Sequence, residues 1–140
     1  MTVILAAAPI VACADAGDPR CGHTQGVLMA ETGPYVLPGP VPEQIDALLA
    51  QRVGQHARRA FLKDLAAGRF RVERLTSRDV GALERLEREY ASLELGLAEL
   101  AIVVVAARLR CTRIVTFDEQ PLRSVRPLYG DGFTLLPSDS

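Results

Sequence analysis

The chain has 140 residues, a formal net charge of −1, three cysteines and two histidines. This length fits one domain, expected over residues 1–137, which can bury a core without disulfides; an odd number of cysteines with no C-x-x-C spacing indicates reduced thiols and a cytoplasmic protein. The near-neutral charge argues against a surface that grips nucleic acid indiscriminately, and two histidines exclude a His-rich metal site.

Strands and helices are predicted to alternate along the chain. Short apolar runs predict buried strands, apolar residues three and four apart predict helices, and glycine and proline mark the ends. In chain order the elements are a buried strand at Val3–Leu5, a helix from Pro9, a loop over 14–26, a strand at Tyr35–Leu37, helices over 42–53 and 55–68, an alternating strand over 70–76, a helix over 78–93 that Ser77 and Asp79 cap, a buried helix from 97, a strand over 112–118 and a last strand within 130–137.

This order predicts a single α/β domain with a mostly parallel sheet, and residues 138–140 are expected to be disordered. No membrane association is expected. The apolar stretch over residues 2–14 has no preceding Lys or Arg, as a signal peptide would, and the stretch over 95–109 is too short for a membrane helix and contains Glu99.

Acidic residues occur at several predicted junctions of this sheet. Glu99 is the only charge in an apolar helix, Asp118 directly follows a strand, and Glu43 begins a helix with Asp46 one turn on. Each has an ordinary structural explanation, because acids commonly cap helices or face solvent at their first turn. Together they favour a Mg²⁺ or Mn²⁺ site that acts on phosphates.

Arginine supplies nearly all of the positive charge, since only Lys63 among the sixteen cations is lysine. Arginine suits bidentate phosphate contacts, so the late group of arginines permits a phosphate-binding rim. Solvated surface arginines explain the same group equally well. Its members are Arg108, Arg110, Arg113, Arg123 and Arg126.

Five segments, in order and over nearly the whole chain, resemble the PIN-domain ribonuclease toxins of the VapC type, the toxic half of VapBC toxin–antitoxin pairs. The segments are VILAAAPIVA, VPEQIDALL, FRVERLT, LGLAELAIVVVAARL and RIVTFDEQPLRSVRP. The resemblance implies a three-layer α/β/α sandwich with a cleft in which acids hold Mg²⁺, or Mn²⁺, for RNA cleavage. It also implies a homodimer and a VapB-type antitoxin that places an arginine in the acidic cleft.

The resemblance assigns the family's acids to Glu43, Glu99 and Asp118, with Thr116 beside the last. The first acid is missing, because the family places Asp after the first strand and this chain has Ala6. A Mg²⁺-dependent endoribonuclease impaired by Ala6 is therefore expected. The alternatives are an inactive PIN module that binds RNA or an antitoxin without cleavage, and a small-molecule phosphodiesterase.

Overall fold

The central element is a five-stranded, all-parallel sheet with the strand order β3-β2-β1-β4-β5. The computed structural model describes all residues, 1–140. The strands are β1 (Val3–Leu5), β2 (Tyr35–Pro38), β3 (Arg71–Glu73), β4 (Arg113–Val115) and β5 (Thr134–Leu136). The predicted α/β class with a mostly parallel sheet is confirmed.

Helices connect the strands and cover both faces of the sheet. They are α1 (Ala7–Ala14), α2 (Cys21–Ala30), α3 (Val41–Arg52), α4 (Gln55–Ala66), α5 (Ser77–Glu89), α6 (Leu97–Arg108) and α7 (Gln120–Ser124), with a 3₁₀ turn at Ala91–Leu93. No helix in the chain is both long enough and apolar enough to span a bilayer.

Two hydrophobic cores lie on opposite sides of the sheet, because successive side chains of a strand point to opposite faces. In β1, Ile4 packs into the core formed with α5 and α6, whereas Val3 and Leu5 pack into the core formed with α1, α3 and α4. The result is the predicted three-layer α/β/α arrangement.

Helix α6 is buried along most of its length, which accounts for its almost continuous apolar sequence. Eight consecutive or near-consecutive residues from Ala98 to Ala106 are buried. Glu99 lies in the first turn of this helix, where the helix dipole favours an anion. The core therefore fixes the position from which Glu99 projects.

Helix α5 begins with a capping box. The Thr76 hydroxyl accepts a hydrogen bond from the Asp79 backbone N–H at 3.1 Å, and the Asp79 carboxylate accepts one from the Thr76 N–H at 2.9 Å. Thr76 is thus the N-cap, one residue before the predicted Ser77, while Asp79 caps as predicted. Arg108 approaches the same carboxylate at 3.3 Å.

The sequence prediction of a loop over residues 14–26 is wrong in its second half, because α2 begins at Cys21. Its glycines weaken the helical pattern, and tertiary contacts stabilise the helix instead. The Tyr35 hydroxyl oxygen lies 2.7 Å from both the Leu28 and the Glu31 backbone carbonyl oxygens, so its one proton is shared between these two acceptors at the end of α2.

At the carboxyl terminus, where disorder was expected, residues 137–139 form a turn. Asp139 accepts a hydrogen bond from the Leu135 N–H at 2.8 Å and pairs with Arg123 at 2.8 Å, and the Ser138 hydroxyl donates to Glu119. These contacts tie the terminal residues to α7.

Three of the five late arginines pair with acids of the same chain, so these three are not unpaired cations available to a phosphate-binding rim. Arg108 pairs with Glu73 and Asp79, Arg113 with Glu31, and Arg123 with Glu119 and Asp139.

Candidate active-site cleft

A cleft of 390 Å³ lies where β1 and β4 end and where α1, α3 and α6 begin. Carboxyl ends of parallel strands are the usual position of binding sites in open α/β sheets. Apolar side chains form most of the wall. The polar side chains that line the cleft are Gln44, Glu99, Thr116 and Asp118, and Ala6, Ala7 and Ala8 form the wall at the end of β1.

Ala6 occupies the junction between β1 and α1. Its backbone N–H donates to the Val115 carbonyl at 2.9 Å, so it continues the pairing with β4, and it is also the N-cap of α1. No side chain caps this helix. An aspartate here would face the cleft and occupy a position where its carboxylate favours the helix start. Alanine supplies only a methyl group.

Glu99 folds back towards the glycine that precedes α6. A Cβ placed on Gly96 would lie 2.7 Å from Oε2 of Glu99, so a side chain at that position would have to displace the carboxylate. Glu99 and Asp118 both line the cleft, and neither forms an ion pair with a basic residue of the chain. These two predicted site residues are therefore brought together with Ala6 and the buried Thr116.

Glu43 is not brought into this group. It is exposed in the first turn of α3, and the next residue, Gln44, lines the cleft in its place. Successive residues of a helix are rotated by roughly 100°, so Glu43 and Gln44 project in different directions, and of the two only Gln44 lines the cleft. Asp46 also points elsewhere, since it pairs with Arg58 of α4 at 2.6 Å.

Gln44 lines the cleft but was not among the predicted site residues, because its side chain is an uncharged amide and the predicted metal site consists of acids. The spacing contains a usable signal. Gln44, Ala47 and Leu48 are three and four residues apart, so they share one helix face, and all three line the cleft.

The residues present do not fit the metal site that the resemblance implies. That site uses four acids, whereas the cleft has two carboxylates, with a methyl group at Ala6 and an uncharged amide at Gln44. No group of three or more His, Cys, Asp or Glu side chains in the chain is arranged to hold a metal ion.

The largest cavity, of 670 Å³, lies elsewhere, between α1, α3 and α4. Its lining is mostly hydrophobic, and Asp64 is its only acid. Since this cavity brings no carboxylates together, the smaller cleft, which is lined by both Glu99 and Asp118, is the candidate site.

Cys13 borders this apolar cavity, and its thiol makes the stability of the fold depend on pH in the alkaline range. Burial, assisted by the nearby Cys21 thiol, raises the pKa of Cys13 from 9.0 to about 11. The folded state therefore holds this proton more tightly than the unfolded chain, so the associated stability is complete below pH 9 and is lost as the pH rises from about 9 to about 11. Urea unfolding across this range is expected to show a smaller alkaline loss for Cys13→Ala than for the unmodified protein; equal losses would contradict it.

The sheet order, the helices on both faces and the cleft at the carboxyl ends of the strands define a PIN-like α/β protein. The structure of VapC20 from Mycobacterium tuberculosis, a sarcin-ricin loop cleaving toxin, matches 85% of this chain and 92% of its own with a TM-score of 0.77 and 18% identity. The structure of VapBC2 from Rickettsia felis, bound to a DNA fragment from its promoter, matches 95% and 99% with a TM-score of 0.67 and 15% identity.

Sequence comparison agrees with the fold. No protein-family model matches the chain. The chain is 28% identical over 135 residues to Ribonuclease VapC26 of Mycobacterium tuberculosis, a match that covers 96% of this chain and 100% of that protein. The comparisons confirm the resemblance of this chain to the VapC-type PIN-domain toxins.

Proposed function

We propose that this chain is the ribonuclease-type toxin of a toxin–antitoxin pair, with an RNA-binding cleft whose Mg²⁺-dependent cleavage is impaired. The observation that carries the proposal is the set of residues that line the cleft. Glu99, Asp118 and Thr116 lie in it together, whereas Ala6 and Gln44 line it on the β1 and α3 sides without a charge. The relatedness to Ribonuclease VapC26 supports RNA as the substrate.

The same make-up favours RNA binding without a metal ion. Two carboxylates repel a phosphodiester less than four would, because Coulomb repulsion grows with each added charge. The Gln44 amide and the Thr116 hydroxyl can each donate a hydrogen bond to a phosphate oxygen. These residues would hold an RNA strand, and none of them supplies a nucleophile.

The proposed partners are a VapB-type antitoxin and a second copy of the chain. The VapBC2 structure from Rickettsia felis supports an antitoxin partner, and the two carboxylates of the cleft would accept an arginine from it. The proposed location is the cytoplasm, where the three free cysteines stay reduced.

Neutralising a carboxylate of the cleft tests the proposal, because the direction in which the RNA affinity changes shows whether that carboxylate repels RNA or holds a metal ion. Asp118→Asn removes a charge that repels phosphate, so binding of a labelled single-stranded RNA should tighten by about fivefold, since one such repulsion is worth about 1 kcal/mol. Glu99→Gln should act in the same direction. Fluorescence anisotropy in the presence of EDTA and then of Mg²⁺ measures the change.

Glu43→Gln is the matched control, because it removes the same charge from α3 outside the cleft. It should leave the RNA affinity unchanged within about twofold. Weaker RNA binding by Asp118→Asn, or cleavage by the unmodified chain that EDTA abolishes, would show that the two carboxylates still hold a functional metal ion. Absence of RNA binding by the unmodified chain would refute the proposed function itself.

A further inference from the structure

The segment that carries Thr116 and Asp118 separates the cleft from a second, polar pocket. Thr116 and Asp118 line the cleft, whereas the alternate residues Phe117 and Glu119 line the neighbouring pocket of 350 Å³. The start of α2 and the turn after β5 form the remaining walls. A ligand that crosses the cleft therefore lies next to this pocket. None of the residues that line the cleft also lines the pocket.

Arg20 forms a flat surface at this pocket. Its guanidinium carbon lies 4.1 Å from the centroid of the Phe117 ring, within the range of a cation–π contact. The Asp18 carboxylate accepts hydrogen bonds from Nε and Nη2 of Arg20, at 3.1 and 2.9 Å. Phe117 supports one face of the guanidinium, Asp18 fixes its plane, and the side chain remains 54% exposed.

The charges around the pocket disfavour a phosphate as the ligand. Asp18 neutralises Arg20, and this close pairing holds the pKa of Asp18 down at about 2. Glu119 adds a carboxylate to the same pocket. A phosphate would meet that carboxylate, whereas an uncharged ring would not.

We propose that Arg20, stacked on Phe117, is a platform for an unpaired nucleobase of the RNA whose backbone lies in the cleft. Guanidinium planes and aromatic rings are common stacking surfaces for unpaired bases. Two polar side chains that can form hydrogen bonds with the edge of a base line the same pocket. His23 is exposed, and the Thr24 hydroxyl is buried without a hydrogen-bond partner. The platform rests on the proposed RNA-binding function and adds a base-binding subsite to it.

Two substitutions of Arg20 distinguish stacking from a phosphate contact. Arg20→Ala should weaken binding of a labelled single-stranded RNA by about fivefold or more, the usual effect of removing one base stack. Arg20→Lys should weaken it nearly as much, since lysine keeps the charge but has no plane. Neither variant should change the slope of affinity against salt, which counts phosphate contacts.

An RNA strand with abasic positions provides the second arm. If bases stack on Arg20, the abasic strand binds more weakly than the normal strand and Arg20→Ala has no further effect on it. Arg59→Ala, at an exposed arginine of α4 outside every ion pair found, is the matched control and should leave both affinities unchanged. Circular dichroism confirms folding, which the loss of an exposed ion pair alters little.

If Arg20→Lys keeps the RNA affinity and Arg20→Ala reduces the salt slope, Arg20 contacts a phosphate and not a base. That result would overturn the platform. Unchanged binding by Arg20→Ala, in a protein whose RNA affinity still responds to Asp118→Asn, would overturn the platform alone. If the unmodified chain does not bind RNA at all, the proposed function itself is refuted.

Discussion

The double variant Ala6→Asp/Gln44→Glu is expected to cleave RNA in a Mg²⁺-dependent way, at least about a hundredfold faster than the unmodified chain. Both positions line the cleft that contains Glu99 and Asp118. The two substitutions raise the number of carboxylates there from two to four, which matches the oxygen-rich environment that Mg²⁺ requires.

Ala6→Asp alone is expected to restore less activity, because Gln44 leaves the α3 side of the cleft uncharged. The resemblance had assigned that side to Glu43, which is exposed outside the cleft. A comparison of the two single variants with the double variant measures how strongly the positions depend on each other. Groups that act as a unit give strongly non-additive effects.

Thermal unfolding provides a second measurement that does not depend on catalysis. Four clustered carboxylates repel each other, so the double variant should melt at a lower temperature than the unmodified chain in EDTA and recover as Mg²⁺ is added. The unmodified chain should show no such recovery at matched ionic strength.

Ala16→Asp/Gln51→Glu is the matched control for the double variant. It introduces the same two charges at exposed positions outside the cleft, and it should neither cleave RNA nor gain stability from Mg²⁺. If the cleft variant is folded, is free of antitoxin and stays inert, the proposed ribonuclease function is wrong for this chain. Equal cleavage by the control would place the activity outside the cleft.

Much of the fold could be predicted from local patterns. The apolar run Val3–Leu5 and the buried helix α6 were recognisable because their side chains are buried on all sides and leave an apolar sequence. Helix α2 was not recognisable, since Gly22 and Gly26 lower its helix propensity and its end is fixed by Tyr35, a contact that only the tertiary structure reveals.

The site was predictable to the extent that the sheet topology determined it. Residues that follow β1 and β4 meet at one edge, because these strands are parallel neighbours, and Ala6 and Asp118 line the same cleft there. The choice between Glu43 and Gln44 depends on the rotation of α3 about its axis. That rotation places the Gln44 amide, and not the Glu43 carboxylate, at the cleft, and the sequence alone does not reveal it.

The substitution Leu37→Ala is expected to lower the free energy of unfolding by about 3 kcal/mol. Leu37 lies in β2, has no exposed surface, and packs in the core between the sheet and the helices α1, α3 and α4. Truncation leaves a cavity that the surrounding strands cannot close, so the loss exceeds the transfer free energy of the removed methyl groups. An effect of this size is a large part of the total stability of a small domain.

Leu62→Ala is the matched control, since it removes the same atoms from α4 at a position that is 41% exposed. It should cost less than about 1 kcal/mol, because less apolar surface is lost and alanine favours the helix. Urea unfolding measures both values, and equal losses would show that Leu37 is not in a closed core.

Leu37→Ala should also retain the RNA affinity of the unmodified chain at temperatures where it is folded, because the cleft residues Glu99, Thr116 and Asp118 are positioned by α6 and β4. Loss of RNA binding by the folded variant would show instead that β2, through α3 and Gln44, sets the shape of the cleft.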